Sequence, residues 1–189
     1  MPELAVLLPL AAFLALAIGF AIVLQRAGRI VARTREIETF RSSVRDLVAR
    51  IDQSLEGAAG RIDAVRRGQL GADTAGPTIE AATDAMTRYA AEARSLHGPP
   101  AAVAIRDALV ADLERAERAL AMVDHGVKIL TKIRRRGREL EAQTSIKRGY
   151  LNLVHARDAI VRHGVAAEEL QATPPDLPEG PVPAGEPKP

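Results

Sequence analysis

The chain has no cysteine and no tryptophan, and its 189 residues include only three phenylalanines and two tyrosines. Without cysteine, thiol catalysis, thiolate metal sites and a disulfide-stapled secreted scaffold are excluded. So few aromatic side chains also argue against the thick core of a globular α/β domain. No Gly-rich loop ending in Gly-Lys-Ser/Thr and no Gly-x-Ser-x-Gly elbow occurs, which removes a P-loop phosphate site and an α/β-hydrolase nucleophile. Lysine is scarce, 4 residues against 22 arginines. Proline is scarce through the middle of the chain, because seven of the twelve lie in residues 173–189.

Residues 4–24, by contrast, form an unbroken run of 21 residues without a charged side chain. As an α-helix it spans roughly 32 Å, against ~30 Å for the hydrocarbon core of a bilayer. Lipid leaves the backbone no water to pair with, so such a segment must be helical, and Pro9 and Gly19 are tolerable within it. A buried core helix normally shows a polar face. A cleaved signal peptide requires a positive N-terminus and a shorter apolar stretch than the one following Met1-Pro2-Glu3. The sequence therefore predicts a transmembrane anchor over residues 1–25. Arg26, Arg29, Arg33 and Arg35 follow on one side only, and the positive-inside rule predicts an outside N-terminus and a cytoplasmic C-terminal domain at the inner (plasma) membrane.

Residues 26–172 make one domain's worth of chain. Residues 26–171 carry 25 Lys+Arg against 20 Asp+Glu, a local net charge of +5. Ile30, Ile37, Val44, Ile51, Ala58 and Val65 recur every seven residues, joined by Phe40, Leu47, Leu55 and Ile62, which predicts a helix from about 26 to 70 continuing the anchor. Residues 68–77, with three glycines and Pro77, predict a turn, and a second helix follows from Pro77 to His97. Gly98-Pro99-Pro100 ends it, glycine suiting a left-handed cap. Ile105, Leu109, Leu113, Ala116, Leu120, Val123, Val127 and Leu130 set a third seam. It weakens through Ile133, Leu140, Leu151, Val154, Ile160 and Val161, leaving one helix over 101–163 or two broken near Gly137. The expected fold is all-α: a single transmembrane helix running into an antiparallel long-helix bundle or coiled coil. Residues 173–189 are expected to form a disordered Pro-rich tail.

Little here suggests chemistry. His97 and His125 read as surface residues, and His155, Asp158 and His163 span two helical turns, too far apart to hold one ion unaided. Acidic and basic residues alternate at helical spacing, the pattern of a solvated surface. The expectation is a non-enzymatic protein without cofactor or metal. The most distinctive local feature is Lys128, Lys132, Arg134, Arg135, Arg136 and Arg138, six cations in eleven residues. Such a run reads as a solvated surface or a contact for anionic lipid, where each cation contributes about 1 kcal/mol. Nucleic acid fits less well, because no aromatic side chain interleaves the cluster. Geometry separates the readings: a third helix antiparallel to the first brings the cluster back to the bilayer, and a parallel one holds it away.

The layout of an apolar helix leading into coiled coil is similar to that of bacterial division and envelope scaffolds, without a shared motif. It lacks the Gly-Pro hinge of the twin-arginine translocase subunits. The functional expectation is a membrane-anchored scaffold or adaptor that binds protein partners or itself at the cytoplasmic face. The alternative is an extracytoplasmic sensory or signalling domain with reversed topology.

Overall fold

A computed structural model describes residues 2–132 and 137–171, with side chains left out at 2–12, 14, 15, 17 and 30. All of the secondary structure described is helical: α1 (Pro2–Arg66), α2 (Ala72–Ser95), α3 (Pro100–Thr131) and α4 (Glu139–Glu168). Each helix packs against its neighbours in sequence, and α4 closes the ring against α1. The result is an up-down-up-down four-helix bundle built on the C-terminal half of α1.

From Ile37 to Ile62 the seven-residue stripe of α1 faces inward as its periodicity predicts, Val65 is half-buried, and the side chain of Ile30 lies outside the described residues. Phe40, Val44, Leu47, Ile51, Leu55, Ala58 and Ile62 are buried, and Ile37 closes the stripe at the lower end. Ile79, Met86 and Ala93 of α2 meet them, with Leu109, Leu113, Leu120 and Val123 of α3. The seams of α1 are thus satisfied within one chain.

Polar contacts between helices fix the register. Arg45 meets Glu168 at 2.6 Å and Arg157 meets Asp52 at 2.6 Å, which sets α1 antiparallel to α4. Arg50 donates to Glu92 of α2 and lies 5.5 Å from the centre of the Tyr89 ring. Arg94 of α2 donates to Glu114 of α3 at 2.5 Å. Half-exposed pairs like these contribute about 0–1 kcal/mol each, so they select alignment more than they stabilise it.

Two helix ends follow from glycine. After α1 the chain turns at Gly68, φ 72°, where the N–H of Gln69 donates to Ala64 and that of Gly68 to Val65, a Schellman closure. After α3 it turns at Gly137, φ 86°. Residues 101–163 therefore form two helices in a hairpin, not one.

Three sequence expectations are corrected. The turn predicted over 68–77 ends at Gly71, because α2 begins at Ala72 and carries Pro77 inside it. Pro77 forgoes one backbone bond. Burial of Ala75 and Ile79 and the position of Asp73 in the first turn offset that loss. Gly98 serves no left-handed cap, since it is not among the glycines with positive φ. It is small because a Cβ there would lie 2.8 Å from the Phe40 ring and 3.0 Å from Cβ of Ala102.

The third correction concerns α4. Of the predicted seam, Ile160 is buried and Val154 half-buried, Leu140, Leu151 and Val161 are exposed, and Ile133 lies outside the described residues, while Ala142, Ile146, Gly149, Leu153 and Ala156 also face the core. Small residues bring α3 and α4 close together. A Cβ on Gly149 would sit 2.8 Å from the carbonyl oxygen of Ala119, and one on Gly126 2.7 Å from that of Ala142.

Candidate functional surfaces

The interior offers side chains for packing rather than for chemistry. The two buried carboxylates among the described residues are both partnered. Asp112 accepts from Arg115 at 2.5 Å, and its other oxygen lies 2.8 Å from Nε2 of His163 on α4. Asp63 is held by Arg66 and Arg67 on the next turn, Arg66 foremost, which keeps its carboxyl below the usual range. Sequence reading missed the Asp112–His163 pair because it joins positions 51 apart.

His155 and Asp158 are exposed and do not join His163. Among the described residues no three His, Cys, Asp or Glu side chains are grouped as a metal site. A groove between α2 and α3 carries Asp73, Glu80, Asp84 and Asp124, and Asp124 is bound by Lys128 at 2.6 Å. It opens to solvent, and its Thr83 hydroxyl is turned back onto the carbonyl of Ile79.

The basic segment falls on the connection from α3 to α4. Arg134, Arg135 and Arg136 lie outside the described residues. Lys128 belongs to the last turn of α3, where the helix dipole favours a cation, and its ion pair with Asp124 raises its pKa. Lys132 caps α3 and is exposed. Arg138 forms a two-pronged pair with Glu141 at 2.8 and 2.9 Å. Those bonds, helped by His125 at 3.5 Å, hold Glu141 down to about 2.

Because α3 runs parallel to α1, this connection stands beside the C-terminal end of α1, with Leu130 and Thr131 bordering Val65 and Leu70. From residue 24 to residue 66 of α1 is ~63 Å of helix. Lys132 and Arg138 are therefore carried to the end of the bundle away from the N-terminal apolar run, the arrangement that separates the cluster from a bilayer around that run.

The third surface is the N-terminal part of α1. The helix continues from Pro2 to Arg66 as one element, so the apolar run and the core-forming stripe share a single axis. The anchor assigned to residues 4–24 falls partly outside the described side chains, at positions 4–12, 14, 15 and 17. Among the described residues no helix is long and apolar enough to cross a membrane. The described apolar side chains of the run are unburied: Phe13, Leu16, Ile18, Phe20, Ile22, Val23 and Leu24 are between 51% and 73% exposed. Arg26, Arg29, Arg33 and Arg35 above them are exposed and have no ion-pair partner among the described residues.

The fold and its surfaces define a four-helix bundle carried on a projecting helix. No protein-family model, no curated protein and no solved structure matches the chain.

Proposed function

We propose that the chain is a single-pass membrane protein whose first helix passes from the bilayer into the bundle as one rod, holding a non-enzymatic adaptor domain in the cytoplasm. The observation that carries this reading is the continuity of α1 from its exposed apolar half into its buried heptad half. Seven large apolar side chains left exposed by the described residues need another apolar environment, since exposed apolar patches mark interaction surfaces. The arginines that follow the run orient it with the bundle inside.

The bundle's seams close on themselves, so partner binding falls to its surface. The end away from the anchor concentrates cations, with Lys132 exposed there and Arg134–Arg136 beside it in sequence. An acidic face on a protein partner is its natural complement. The geometry favours a protein at that end over lipid of the anchoring membrane.

Two measurements test the proposal. A C-terminal reporter active only in the cytoplasm should be active, and the chain should resist alkaline extraction from membranes. A reporter active only outside reverses the topology and favours the sensory reading; release by alkali removes the anchor. Capture of an acidic partner by the intact membrane protein should be lost when Lys132, Arg134, Arg135 and Arg136 become Glu. Equal capture would place the binding surface elsewhere.

A further inference from the structure

Where α1 enters the bundle, an apolar groove of about 230 Å³ lies between the first helix, the α2–α3 turn and the end of α4. Ile37, Pro99, Pro100, Ala101 and Leu170 line it, with Arg33 and Glu36 at its lower rim and Gln171 at its edge, so the arginines of this face outnumber its one bordering carboxylate. Arg41 donates to the carbonyl of Leu170, tying the end of α4 to α1. The Nε of Arg41 is buried there without a partner among the described residues. The last described residue, Gln171, is thus delivered to the groove, and residues 172–189 continue from that point.

Those residues are proline-rich and carry Asp176, Glu179 and Glu186 against the single cation Lys188. Opposite them, Arg26, Arg29 and Arg33 are spaced by three and four residues and share one face of α1 with Ile37, which borders the groove. All three are exposed and unpaired among the described residues. Arg33 to Arg26 covers ~10 Å of helix. Asp176 and Glu179 are three residues apart in sequence, a spacing that in a polyproline helix is one turn and ~9 Å and would return both carboxylates to the same side. Five residues from Gln171 to Asp176 reach ~15 Å in that conformation, enough to meet any of the three arginines.

We infer that residues 172–179 dock within the chain, their prolines over the groove of Ile37, Pro99, Pro100 and Leu170, and Asp176 and Glu179 against Arg33, Arg29 and Arg26. The tail then acts as a strap bracing α1 where it leaves the bundle, and it neutralises part of the arginine face. This inference does not depend on residues 4–24 entering a bilayer.

The absence of native cysteine makes the test clean, because Gly180→Cys supplies the only thiol for a nitroxide label. In the full chain, in detergent and in discs of neutral lipid, the label should be immobilised. Changing Arg26, Arg29 and Arg33 to Glu should speed its motion several-fold, and adding Asp176→Arg and Glu179→Arg should restore the slow spectrum. The arginines are exposed, so the bundle's melting should not move and serves as the folding control. A freely mobile label in the unaltered chain overturns the inference, as does a slow one indifferent to both charge sets. Immobilisation that grows with protein concentration assigns the groove to a second copy and overturns docking within one chain.

Discussion

Between residues 18 and 36 every described side chain of α1 is exposed, while from Ile37 to Ile62 the same helix buries a continuous stripe of apolar side chains in the bundle. The two stretches differ in pattern more than in composition. Residues 4–24 are apolar on all sides, and the later stretch is apolar on one stripe only. An all-round apolar helix needs an all-round apolar surrounding, and a striped one needs partners on one side. The junction between them, residues 26–36, is charged and belongs to neither.

The sharpest way to break this comparison is truncation within each half. Leu47→Ala or Ile51→Ala, at fully buried positions of the striped half, should destabilise the bundle by about 2–5 kcal/mol in denaturant unfolding. Phe20→Ala in the all-apolar half should leave that transition unchanged.

Smaller effects come from glycine, and their sign depends on surroundings. Gly149→Ala drives a methyl group against the backbone of α3 and should cost about 1–3 kcal/mol. Gly57→Ala, on the exposed face of α1 with nothing within 4 Å, should stabilise by about 0.5–1 kcal/mol through helix propensity. Equal effects at the two sites would mean that α3 and α4 do not approach closely.

The smallest effect is electrostatic. Glu141, held down to about 2 by Arg138 and then His125, ionises more easily in the folded chain than in the unfolded one. Its contribution is complete above the ordinary carboxylate range near ~4.3 and is lost as pH falls towards 2. A side-chain NMR titration should place its midpoint near 2, and Arg138→Ala should return it towards the ordinary value. Asp63, lowered by Arg66 and Arg67, shifts in the same sense, so acid should loosen the distal end of α1 as well.

How much of this was legible in the sequence depended on side-chain size. The stripe of α1 was readable because Ile, Val, Leu and Phe recur at fixed spacing over five heptads. The seam of α4 was hidden because half of it is Ala142, Gly149 and Ala156, which contribute little hydrophobicity but permit close approach. Leu140, Leu151 and Val161 drew attention to the solvent side instead. The reason for glycine at position 98 is not legible locally, since only the fold brings Phe40 beside it. Among the surfaces, the apolar run and its arginines were plain in the sequence. The placement of Lys132 and Arg138 at the far end needed the parallel run of α1 and α3, a property of topology that no local pattern records.

The central claim is that one helix joins two environments. It is tested most directly by single nitroxide labels at Leu16, Arg33 and Gln53 of the full chain reconstituted in lipid vesicles, read by their accessibility to oxygen and to a water-soluble nickel reagent. Leu16 should be reached by oxygen and shielded from nickel, Gln53 should show the reverse, and Arg33 should resemble Gln53. A Leu16 label as open to nickel as Gln53 would contradict the claim.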